Sequence, residues 1–324
     1  MRNLVAIIAG DPESINSEII GKTWKKKSLF KKTNIFLIGN YNLIRKQFKI
    51  LKIQIKTKKI NNLRGENFEK KLLIYDIPIN TNKSFKIEKK VKSKYVINSF
   101  NVAIKLVKEK KISGFVNCSI NKDDIFKNKN FGVTEFLAKK MGVFGNEAML
   151  IYNKNLAVSP ITTHIKLKNV SKNISKIKIL KKIIAINKFY LKNFKIKPKI
   201  GVIGLNPHNY EFRKNSEENK IIIPAINLLK KKGVLVVGPI SADTAFINYK
   251  KKGFNVLVGM YHDQVLPPFK ALFKFNAINI TAGLPFIRVS PDHGTSADII
   301  RKNLANPTSL IESIKFFDNK NVKA

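Results

Sequence analysis

The chain has 324 residues, and its composition combines a formal net charge of +41 with 44% hydrophobic and 10% aromatic residues. This hydrophobic content excludes a disordered chain, and the length favours two α/β lobes over a single core. Cys118 is the only cysteine, which excludes a disulfide within the chain and fits a reducing compartment. The apolar residues Leu4 to Ala9 are followed at once by Gly10-Asp11-Pro12 and favour a first strand over a signal peptide. Since no apolar run is long enough to span a bilayer, we predict a cytoplasmic protein with no membrane partner.

The large positive charge allows two interpretations. Dense positive charge attracts nucleic acid, but the lysines are scattered over the whole chain and no nucleic-acid-binding module accompanies them. Asn and Ile are also heavily used, which favours a drift of the genome toward A/T-rich codons. We therefore predict no specific nucleic-acid partner.

Apolar runs and turn residues alternate along the first part of the chain. Strands are predicted at Leu4 to Ile8, Ile35 to Ile38, Ile50 to Ile55 and Phe115 to Cys118, and helices from Pro12 to about Gly21, from about Tyr41, and from Val96 to Lys110. Residues 56–94 are polar and irregular and receive no assignment.

The remainder of the chain repeats this alternation. Predicted strands are Ala148 to Tyr152, Leu156 to Val158, Ile200 to Leu205, Val234 to Val237, Phe254 to Val258, Ile278 to Thr281 and Pro285 to Val289. Predicted helices are Thr134 to Lys140, Ile174 to Phe194, Glu217 to Lys231 and Ala242 to Lys250. Strands that alternate with helices indicate βαβ units and a largely parallel sheet.

The chain contains only four histidines, and each lies just past a predicted strand or in a turn. They are His164, His208, His262 and His293. Three separated histidines and a carboxylate can form an open site for a divalent metal, although their long spacing matches no local metal motif. The carboxylate candidates are Asp243, Asp263 and Asp292, whose alternative role is to cap helices or turns.

Two cations lie near these predicted elements. Lys270 follows the His262-Asp263 pair, which itself follows a buried strand at the position where open α/β sheets bind ligands. Arg288 follows a short apolar segment and suits a bidentate grip on a phosphate or a carboxylate, while a surface ion pair is equally compatible with its position. The sequence contains no glycine-rich dinucleotide fingerprint and no Walker-type loop.

Several short motifs occur in order along nearly the whole chain. They are Gly10-Asp11-Pro12, Thr134-Glu135-Phe136, Thr162-Thr163-His164, Gly204-Leu205-Asn206-Pro207-His208, Gly238-Pro239-Ile240-Ser241-Ala242-Asp243-Thr244, Tyr261-His262-Asp263-Gln264, Gly283-Leu284-Pro285-Phe286-Ile287-Arg288 and Asp292-His293-Gly294-Thr295. These motifs resemble those of the 4-hydroxythreonine-4-phosphate dehydrogenase family of vitamin B6 biosynthesis. Each motif is weak alone, but together they are highly specific.

The resemblance implies a homodimer of two α/β/α lobes with a central cleft, similar to isocitrate and isopropylmalate dehydrogenases. We predict a first lobe from residues 1–120 with 265–324 and a second lobe from 121–264. The implied reaction is NAD- or NADP-dependent oxidation of 4-phosphooxy-L-threonine, with decarboxylation to 3-amino-2-oxopropyl phosphate. A competing function with similar residue types is a metal-dependent phosphoester hydrolase, and a third is a catalytically inactive binding protein.

The resemblance also implies roles for individual residues. The implied ligands of a divalent metal (Zn, Mg, Mn or Co) are His164, His208 and His262, one of them contributed across the dimer. The implied substrate-binding residues are Thr134, Lys270, Asn279 and Arg288. Asp292, His293, Gly294 and Thr295 are expected near the cofactor. The candidate catalytic residues are Lys270, Asp243 and Asp263, and the residue that removes the hydroxyl proton stays open between Lys270 and Asp243.

The chain departs from the family at three places. The loop after Gly-Asp-Pro and the segment after Asn-Pro-His lack the family's glycines. Val133 stands where the family has a substrate-binding histidine. Asn121 or Asn130 is a candidate replacement donor, and a same-family dehydrogenase for another phosphorylated hydroxy acid is the alternative function.

Overall fold

A computed structural model of the chain describes residues 3–126 and 132–318. The chain forms two compact units. Unit 1 comprises Met1–Gly132 and Phe286–Ala324, and unit 2 comprises Val133–Pro285. Unit 1 is therefore built from both ends of the chain, and unit 2 is one continuous segment.

Strands and helices alternate through most of the chain. The strands are β1 (Asn3–Ile8), β2 (Thr33–Gly39), β3 (Thr57–Ile60), β4 (Leu72–Asp76), β5 (Gly114–Asn117), β6 (Ala148–Asn153), β7 (Leu156–Thr162), β8 (Ile200–Ile203), β9 (Val236–Ile240), β10 (Val256–Tyr261), β11 (Ile278–Ala282) and β12 (Ile287–Pro291). The helices are α1 (Asn16–Lys25), α2 (Tyr41–Ile50), α3 (Lys89–Lys108), α4 (Lys122–Ile125), α5 (Val133–Lys140), α6 (Val170–Asn173), α7 (Lys176–Asn193), α8 (Ile223–Lys231), α9 (Ala242–Ala245), α10 (His262–Phe273) and α11 (Thr308–Asp318).

The strands of unit 1 follow the order β3-β4-β2-β1-β5-β12, and their pairings are parallel. Helices α3 and α11 both pack against β1 and β2. Residues 5–8 of β1 are fully buried, as expected for a parallel strand with both faces covered. The carboxyl ends of β1, β5 and β12 consequently lie at one edge of this sheet.

The strands of unit 2 follow the order β11-β6-β7-β10-β8-β9. Three pairings, β7 with β10, β10 with β8 and β8 with β9, are parallel. The prediction of a largely parallel sheet is confirmed, and the exceptions in unit 2 are the antiparallel pairings β11–β6 and β6–β7. Only Lys154 and Asn155 connect β6 to β7, and so short a connection can join only antiparallel strands.

Three predicted elements are wrong in their position. Ile50 to Ile55 is not a strand, because α2 continues to Ile50 and the next strand is β3; the buried Leu43, Ile44, Gln47 and Phe48 continue one helical face. Helix α9 ends at Ala245 rather than Lys250. Helix α1 begins at Asn16 rather than Pro12, because Asp11 Oδ1 accepts a hydrogen bond from Glu13 N (2.9 Å) and holds a loop in place of a first turn.

Residues 265–285 belong to unit 2, whereas the sequence assigned them to the first lobe. Helix α10 packs on β7 and β10, and β11 pairs with β6, so the segment shares the core of unit 2. Its residues Val265, Leu266 and Phe269 lie in one hydrophobic cluster with Ile151 and Val158. In the described part of the chain, no helix combines the length and the apolar character that crossing a bilayer requires.

Candidate active site

Three of the four histidines follow three adjacent parallel strands of unit 2. His164 follows β7, His262 directly follows β10, and His208 follows β8. Because β10 pairs with both β7 and β8 in parallel, these residues lie at the same carboxyl edge of the sheet. The sequence predicted histidines at strand ends, and the carboxyl edge is where parallel α/β sheets bind their ligands.

His164 and His262 are close to one another. Their ring centroids are 5.9 Å apart, and Thr162 Oγ1 donates a 2.8 Å hydrogen bond to Met260 O, which joins the ends of β7 and β10. His262 Nδ1 lies 2.6 Å from Asp263 Oδ1. A carboxylate on Nδ1 fixes the imidazole and leaves Nε2 as the nitrogen for a metal, so the pair has the arrangement of a ligand and its orienting carboxylate.

His208 lies in a segment with an unusual backbone. His208 to Phe212 all have φ between 48° and 56°, a left-handed turn without glycine. A Cβ on Gly204 would lie 2.0 Å from Asn209 Oδ1, so a larger residue at position 204 would force the Asn209 side chain to move. Glu218 anchors the start of the segment. Its Oε1 accepts hydrogen bonds from Leu205 N (2.8 Å) and Asn206 N (2.9 Å).

The carboxyl group of Glu218 is buried, which opposes its charged form. The hydrogen bonds from Asn206 and Leu205 outweigh this desolvation and lower its pKa below the usual value. Glu218 therefore acts as a charged anchor for the segment that carries His208.

The predicted set of three histidine ligands is not assembled within the chain. Among residues 3–126 and 132–318, no group of three or more His, Cys, Asp or Glu residues is arranged to hold a metal. The three-histidine ligand set stays a prediction.

Gln264 links two of these strand ends, a role that was not predicted from the sequence. Its Oε1 accepts a hydrogen bond from Met260 N (2.7 Å), and its Nε2 donates to Gly204 O (2.6 Å). One amide thus spans the ends of β10 and β8, immediately before His262 and the His208 segment. Its position two residues after a histidine at a strand end was the only sequence signal for this role.

Asp243 and Lys270 also lie in unit 2, and both are exposed. Asp243 follows β9, and its Oδ1 accepts a 2.9 Å hydrogen bond from Thr244 N at the start of α9. Lys270 lies on α10, eight residues after His262 (270 − 262 = 8), which is about 12 Å along the helix axis. Because helical side chains lean toward the N-terminus, the Lys270 ammonium can extend back toward His262.

Two predicted substrate-binding residues, Thr134 and Asn279, share one face of the unit 2 sheet with Thr281. In the antiparallel register Asn279 pairs with Ile151 and Thr281 pairs with Met149, and both partners pack in the hydrophobic cluster that includes α10. Cross-strand partners point to the same face. Thr134 Oγ1 lies 3.3 Å from Thr281 Oγ1, so Thr134 also reaches this face.

Asn279 Oδ1 is buried and has no hydrogen-bond partner among the described residues. A buried acceptor without a partner is costly unless a ligand satisfies it. The arrangement therefore suits a substrate with hydrogen-bond donors, such as an ammonium or a hydroxyl group. Val133, adjacent to Thr134, is 7% exposed and opens α5, while Asn130 lies outside the described residues.

Arg288 lies in β12 of unit 1 and is 3% exposed. Its Nε donates a 2.6 Å hydrogen bond to Oδ1 of Asn117, the last residue of β5. The sequence did not predict Asn117 as the partner of Arg288. The only signal was its place as a polar residue at the end of a buried apolar run. Asn121, one of the candidate replacement donors, already accepts a hydrogen bond from Asp123 N through its side chain.

The predicted cofactor segment, residues 292–295, follows the carboxyl end of β12. Asp292 N donates to Ser309 Oγ (2.8 Å), and Ile15 N donates to Thr295 O (3.2 Å). The second bond joins this segment to the loop that follows β1. Gly294 has open space where a Cβ would stand, so a ligand can approach the backbone there. A segment of this kind at the carboxyl edge fits the binding of a nicotinamide cofactor.

The loop after β1 is fixed by a buried lysine that the sequence did not single out. Lys92 Nζ lies 2.7 Å from Glu13 Oε2, 2.8 Å from Asp124 Oδ2 and 3.6 Å from Asp11 Oδ2. Burial opposes the charge of Lys92, but the hydrogen bonds to Asp124 and Glu13 prevail and raise its pKa. Burial raises the pKa of Asp11 in spite of hydrogen bonds from Glu13 and Asn121.

The fold and these carboxyl-edge residues are typical of the α/β enzymes, which bind small ligands at the ends of parallel strands. The chain is similar to the crystal structure of a 4-hydroxythreonine-4-phosphate dehydrogenase from Klebsiella pneumoniae, with a TM-score of 0.86 and 28% identity over 97% of this chain and 98% of that chain. This similarity confirms the α/β class, and the likeness to isocitrate dehydrogenase stays a prediction.

Sequence comparison gives the same result. The family model described as pyridoxal phosphate biosynthetic protein PdxA matches residues 31–317. A 4-hydroxythreonine-4-phosphate dehydrogenase from a Sulfurihydrogenibium species is 40% identical over 96% of both chains. A relative from Oceanobacillus iheyensis named putative D-threonate 4-phosphate dehydrogenase is 32% identical, again over 96% of both chains. The chain belongs to the PdxA family of pyridoxal phosphate biosynthesis and is an enzyme of the dehydrogenase type.

Proposed function

We propose that the enzyme oxidises 4-phosphooxy-L-threonine with NAD or NADP and decarboxylates the product to 3-amino-2-oxopropyl phosphate, with a divalent metal and as a homodimer. The observation that carries the metal-dependent part is the pair of imidazoles, 5.9 Å apart, with Asp263 bonded to His262 Nδ1. The substrate comes from the names of full-length relatives, including the one from the Sulfurihydrogenibium species.

The residues present fit a divalent metal. Two imidazoles from neighbouring strands and a third histidine, His208, at the same sheet edge are neutral nitrogen donors of the kind that Zn, Co and Mn accept. One of the three would come from the other subunit of the dimer, as the family resemblance implies. When bound, the metal would lower the pKa of the substrate hydroxyl and polarise its oxygen.

The side chains of unit 2 divide the remaining tasks. Asp263 orients His262 through the 2.6 Å contact and keeps Nε2 as the donor nitrogen. Lys270 or Asp243 takes the proton of the substrate hydroxyl; both are exposed and lie after strands that end at the carboxyl edge. Lys270 needs to extend back along α10 for this role, and an extended lysine also suits an oxyanion of the substrate.

Substrate binding is assigned to four residues. Thr134 and Asn279 present a hydroxyl and a buried amide oxygen on the α10 side of the sheet, where Asn279 Oδ1 would accept a hydrogen bond from the substrate. Lys270 and Arg288 would bind the phosphate and carboxylate groups. The segment 292–295 would hold the nicotinamide cofactor, which accepts the hydride when bound.

One residue, Val133, favours an alternative substrate. Val133 offers no polar atom where the family has a histidine, and the Oceanobacillus iheyensis relative is named for D-threonate 4-phosphate. That compound is a phosphorylated hydroxy acid, the class of alternative substrate that a changed pocket residue would select. The enzyme would then keep its dehydrogenase chemistry and differ in the group that the residue at position 133 contacts.

The test is an NAD(P)H absorbance assay with purified protein, run with 4-phosphooxy-L-threonine and, separately, with D-threonate 4-phosphate. We expect turnover with the first substrate, its loss after chelation, and partial recovery with Zn, Mn, Co or Mg. Faster turnover of D-threonate 4-phosphate would replace the substrate assignment. Release of inorganic phosphate without NAD(P)H would instead establish a phosphoester hydrolase, and full activity in metal-free protein would refute the metal requirement.

A further inference from the structure

Three strand ends of unit 2 are joined by one chain of hydrogen bonds. Thr162, the last residue of β7, donates from Oγ1 to Met260 O (2.8 Å). Gln264 Oε1 accepts a hydrogen bond from Met260 N (2.7 Å), and Gln264 Nε2 donates to Gly204 O (2.6 Å). Gly204 follows the last residue of β8, so the chain of hydrogen bonds runs from β7 through β10 to β8.

Each of these strand ends leads within a few residues to a predicted metal ligand. His164 and His262 each follow a joined residue by two positions (164 − 162 = 2; 262 − 260 = 2), and His208 follows Gly204 by four (208 − 204 = 4). Two residues of chain span at most about 7 Å, and four span at most about 14 Å. The direction in which each segment leaves the sheet therefore limits where its histidine can lie.

The orientation of the Gln264 amide follows from its two backbone partners. The N–H of Met260 can only donate and the carbonyl of Gly204 can only accept, so the amide oxygen faces Met260 and the amide nitrogen faces Gly204. A rotated amide would lose both hydrogen bonds. The amide lies close to the backbone of β10, since a Cβ on Gly259 would lie 2.8 Å from Gln264 Oε1. The side chain thus bridges two strand ends through both of its polar atoms.

Gln264 acts differently from Glu218, which also holds the segment after β8. Glu218 Oε1 accepts hydrogen bonds from two N–H groups of that segment, only 13 and 12 positions away in sequence, and therefore fixes it locally. Gln264 reaches Gly204 across 60 positions of sequence and fixes the same segment relative to β10. The His208 segment is thus placed with respect to the strand end that carries His262.

We infer that Gln264 is a positioning residue, which fixes the segments carrying His208 and His262 relative to one another and thereby raises the affinity of the histidines for a divalent metal. The inference rests on the proposed function, in which these histidines bind the metal. Ligands that are already held in place lose less conformational freedom on binding, and residues that orient metal ligands strongly influence metal affinity. In a homodimer the constraint acts in both subunits, so it applies whichever histidine crosses the interface.

The test replaces Gln264 with methionine, which keeps the length of the side chain and removes both hydrogen bonds. The probe is Co²⁺, titrated into the metal-free natural protein and into Gln264→Met, because the visible absorption of bound Co²⁺ reports its ligand geometry. We expect the dissociation constant for Co²⁺ to rise by about ten- to a hundredfold. The visible spectrum at saturation should also change, which a general loss of stability would not produce.

Asn153 provides a matched control, because its amide makes the same kind of bridge elsewhere in unit 2. Its Oδ1 accepts a hydrogen bond from Asn155 N (3.0 Å), and its Nδ2 donates to Asn276 O (2.6 Å). Asn153 ends β6 beside the amino end of β7, the opposite end from His164. Asn153→Leu should lower the melting temperature, as Gln264→Met does, but should change Co²⁺ affinity less than about twofold.

Gln264→Asn is a second variant for the case in which Gln264→Met does not fold. It keeps the amide but shortens the side chain by one methylene, so the amide cannot span both backbone partners. We expect the dissociation constant for Co²⁺ to rise by about three- to tenfold, from the loss of one of the two hydrogen bonds.

Two results would overturn the inference: unchanged Co²⁺ affinity and spectrum in whichever Gln264 variants fold, or an equal change in Asn153→Leu. His262→Ala separates this failure from a failure of the proposed metal site. If His262→Ala weakens Co²⁺ binding and the folded Gln264 variants do not, only the positioning role fails. If the natural protein binds Co²⁺ no better than His262→Ala does, the proposed metal site fails and the inference fails with it.

Discussion

The cluster around Lys92 in unit 1 and the candidate catalytic residues of unit 2 lie at carboxyl edges of their strands but differ in burial. In unit 1, Asp11 and Lys92 are almost fully buried, and carboxylates and backbone N–H groups surround them. In unit 2, His164, Asp243 and Lys270 are exposed, and the Asp263 side chain is 77% exposed. Buried charges must be satisfied by the protein itself, whereas exposed groups are accessible to a ligand. The difference separates a loop that is held by buried ion pairs from the exposed side chains to which we assign the chemistry.

This comparison predicts different consequences of mutation in the two units. Substitutions at the edge of unit 2 should remove activity and leave the fold intact. Substitutions in the Lys92 cluster should mainly lower the free energy of unfolding. Any loss of activity should be a secondary result of greater motion in the loop after β1. Activity and stability measured on the same variants therefore distinguish the structural role of the Lys92 cluster from the catalytic role proposed for the unit 2 residues.

The largest expected effect is on activity, in unit 2. His262→Ala should reduce kcat/KM by at least about a thousandfold, equivalent to roughly 4 kcal/mol, because it removes both a proposed metal ligand and the partner of Asp263. The melting temperature should change little, since the ring is one third exposed. Kinetics, bound-metal analysis and a thermal melt check the prediction. If the variant bound a full complement of metal and stayed active, His262 would not be a metal ligand or part of the active site.

The next effect is on stability, in unit 1. Lys92→Met leaves Asp11, Glu13 and Asp124 without their shared cation and should lower the free energy of unfolding by about 3–5 kcal/mol. The matched control is Lys59→Met, which removes a half-exposed lysine from Asp76, a carboxylate that keeps its hydrogen bond from Tyr41 N, and should cost less than about 1 kcal/mol. Urea unfolding of both variants measures the difference. Equal costs would show that burial of the cluster contributes nothing.

A smaller effect concerns Val133, which stands where the family resemblance implies a substrate-binding histidine. Val133→His should raise kcat/KM for 4-phosphooxy-L-threonine by about one to two decades, because one hydrogen bond to a charged group is worth about 1.5–3 kcal/mol. Steady-state kinetics with both candidate substrates check it. If the variant gains nothing with this substrate while the natural protein prefers D-threonate 4-phosphate, the chain is a specificity variant of its family.

The smallest effect is a pH dependence of stability. The hydrogen bond from Lys92 lowers the pKa of Asp124, although burial opposes it. A carboxyl group with a lowered pKa in the folded state stabilises the protein above its unfolded pKa, near pH 4, and loses this contribution as the pH falls further. Asp124→Asn should cost about 1 kcal/mol at pH 7 and show a shallower loss of stability below pH 4. Unfolding curves at pH 7 and pH 3 would contradict this if both proteins lost equal stability.

Much of the fold was predictable because the strands are short apolar runs between turn residues. The histidines at strand ends were also visible, since turn residues and strand patterns frame each of them. The Ile50 to Ile55 segment was misassigned because alternation over six residues also fits the end of an amphipathic helix. Within residues 56–94, β3 could not be assigned because it is a partly exposed strand whose two central residues are lysines.

The contacts that organise the site were not predictable. Lys92 is one of 62 basic residues, and nothing in its local sequence distinguishes a buried lysine from the exposed ones. Asn117 meets Arg288 across 171 positions of sequence, a separation that no local pattern encodes. Gln264 and Thr281 likewise act through residues brought near by strand pairing. Sequence patterns report which residues share a face of one element, and contacts between elements need the fold.

The split of unit 1 between the two ends of the chain has a consequence for synthesis on the ribosome. Unit 2 is continuous and can complete its sheet as soon as residue 285 has emerged. The β5 edge of unit 1, in contrast, stays unpaired until β12 has been translated, because β12 is its parallel neighbour. An open strand edge in a nascent chain invites pairing with other chains. Truncation before residue 287 would therefore leave the β5 edge of the unit 1 sheet unpaired and prone to aggregation. Translation of β12 covers this edge and also places Arg288 in the sheet.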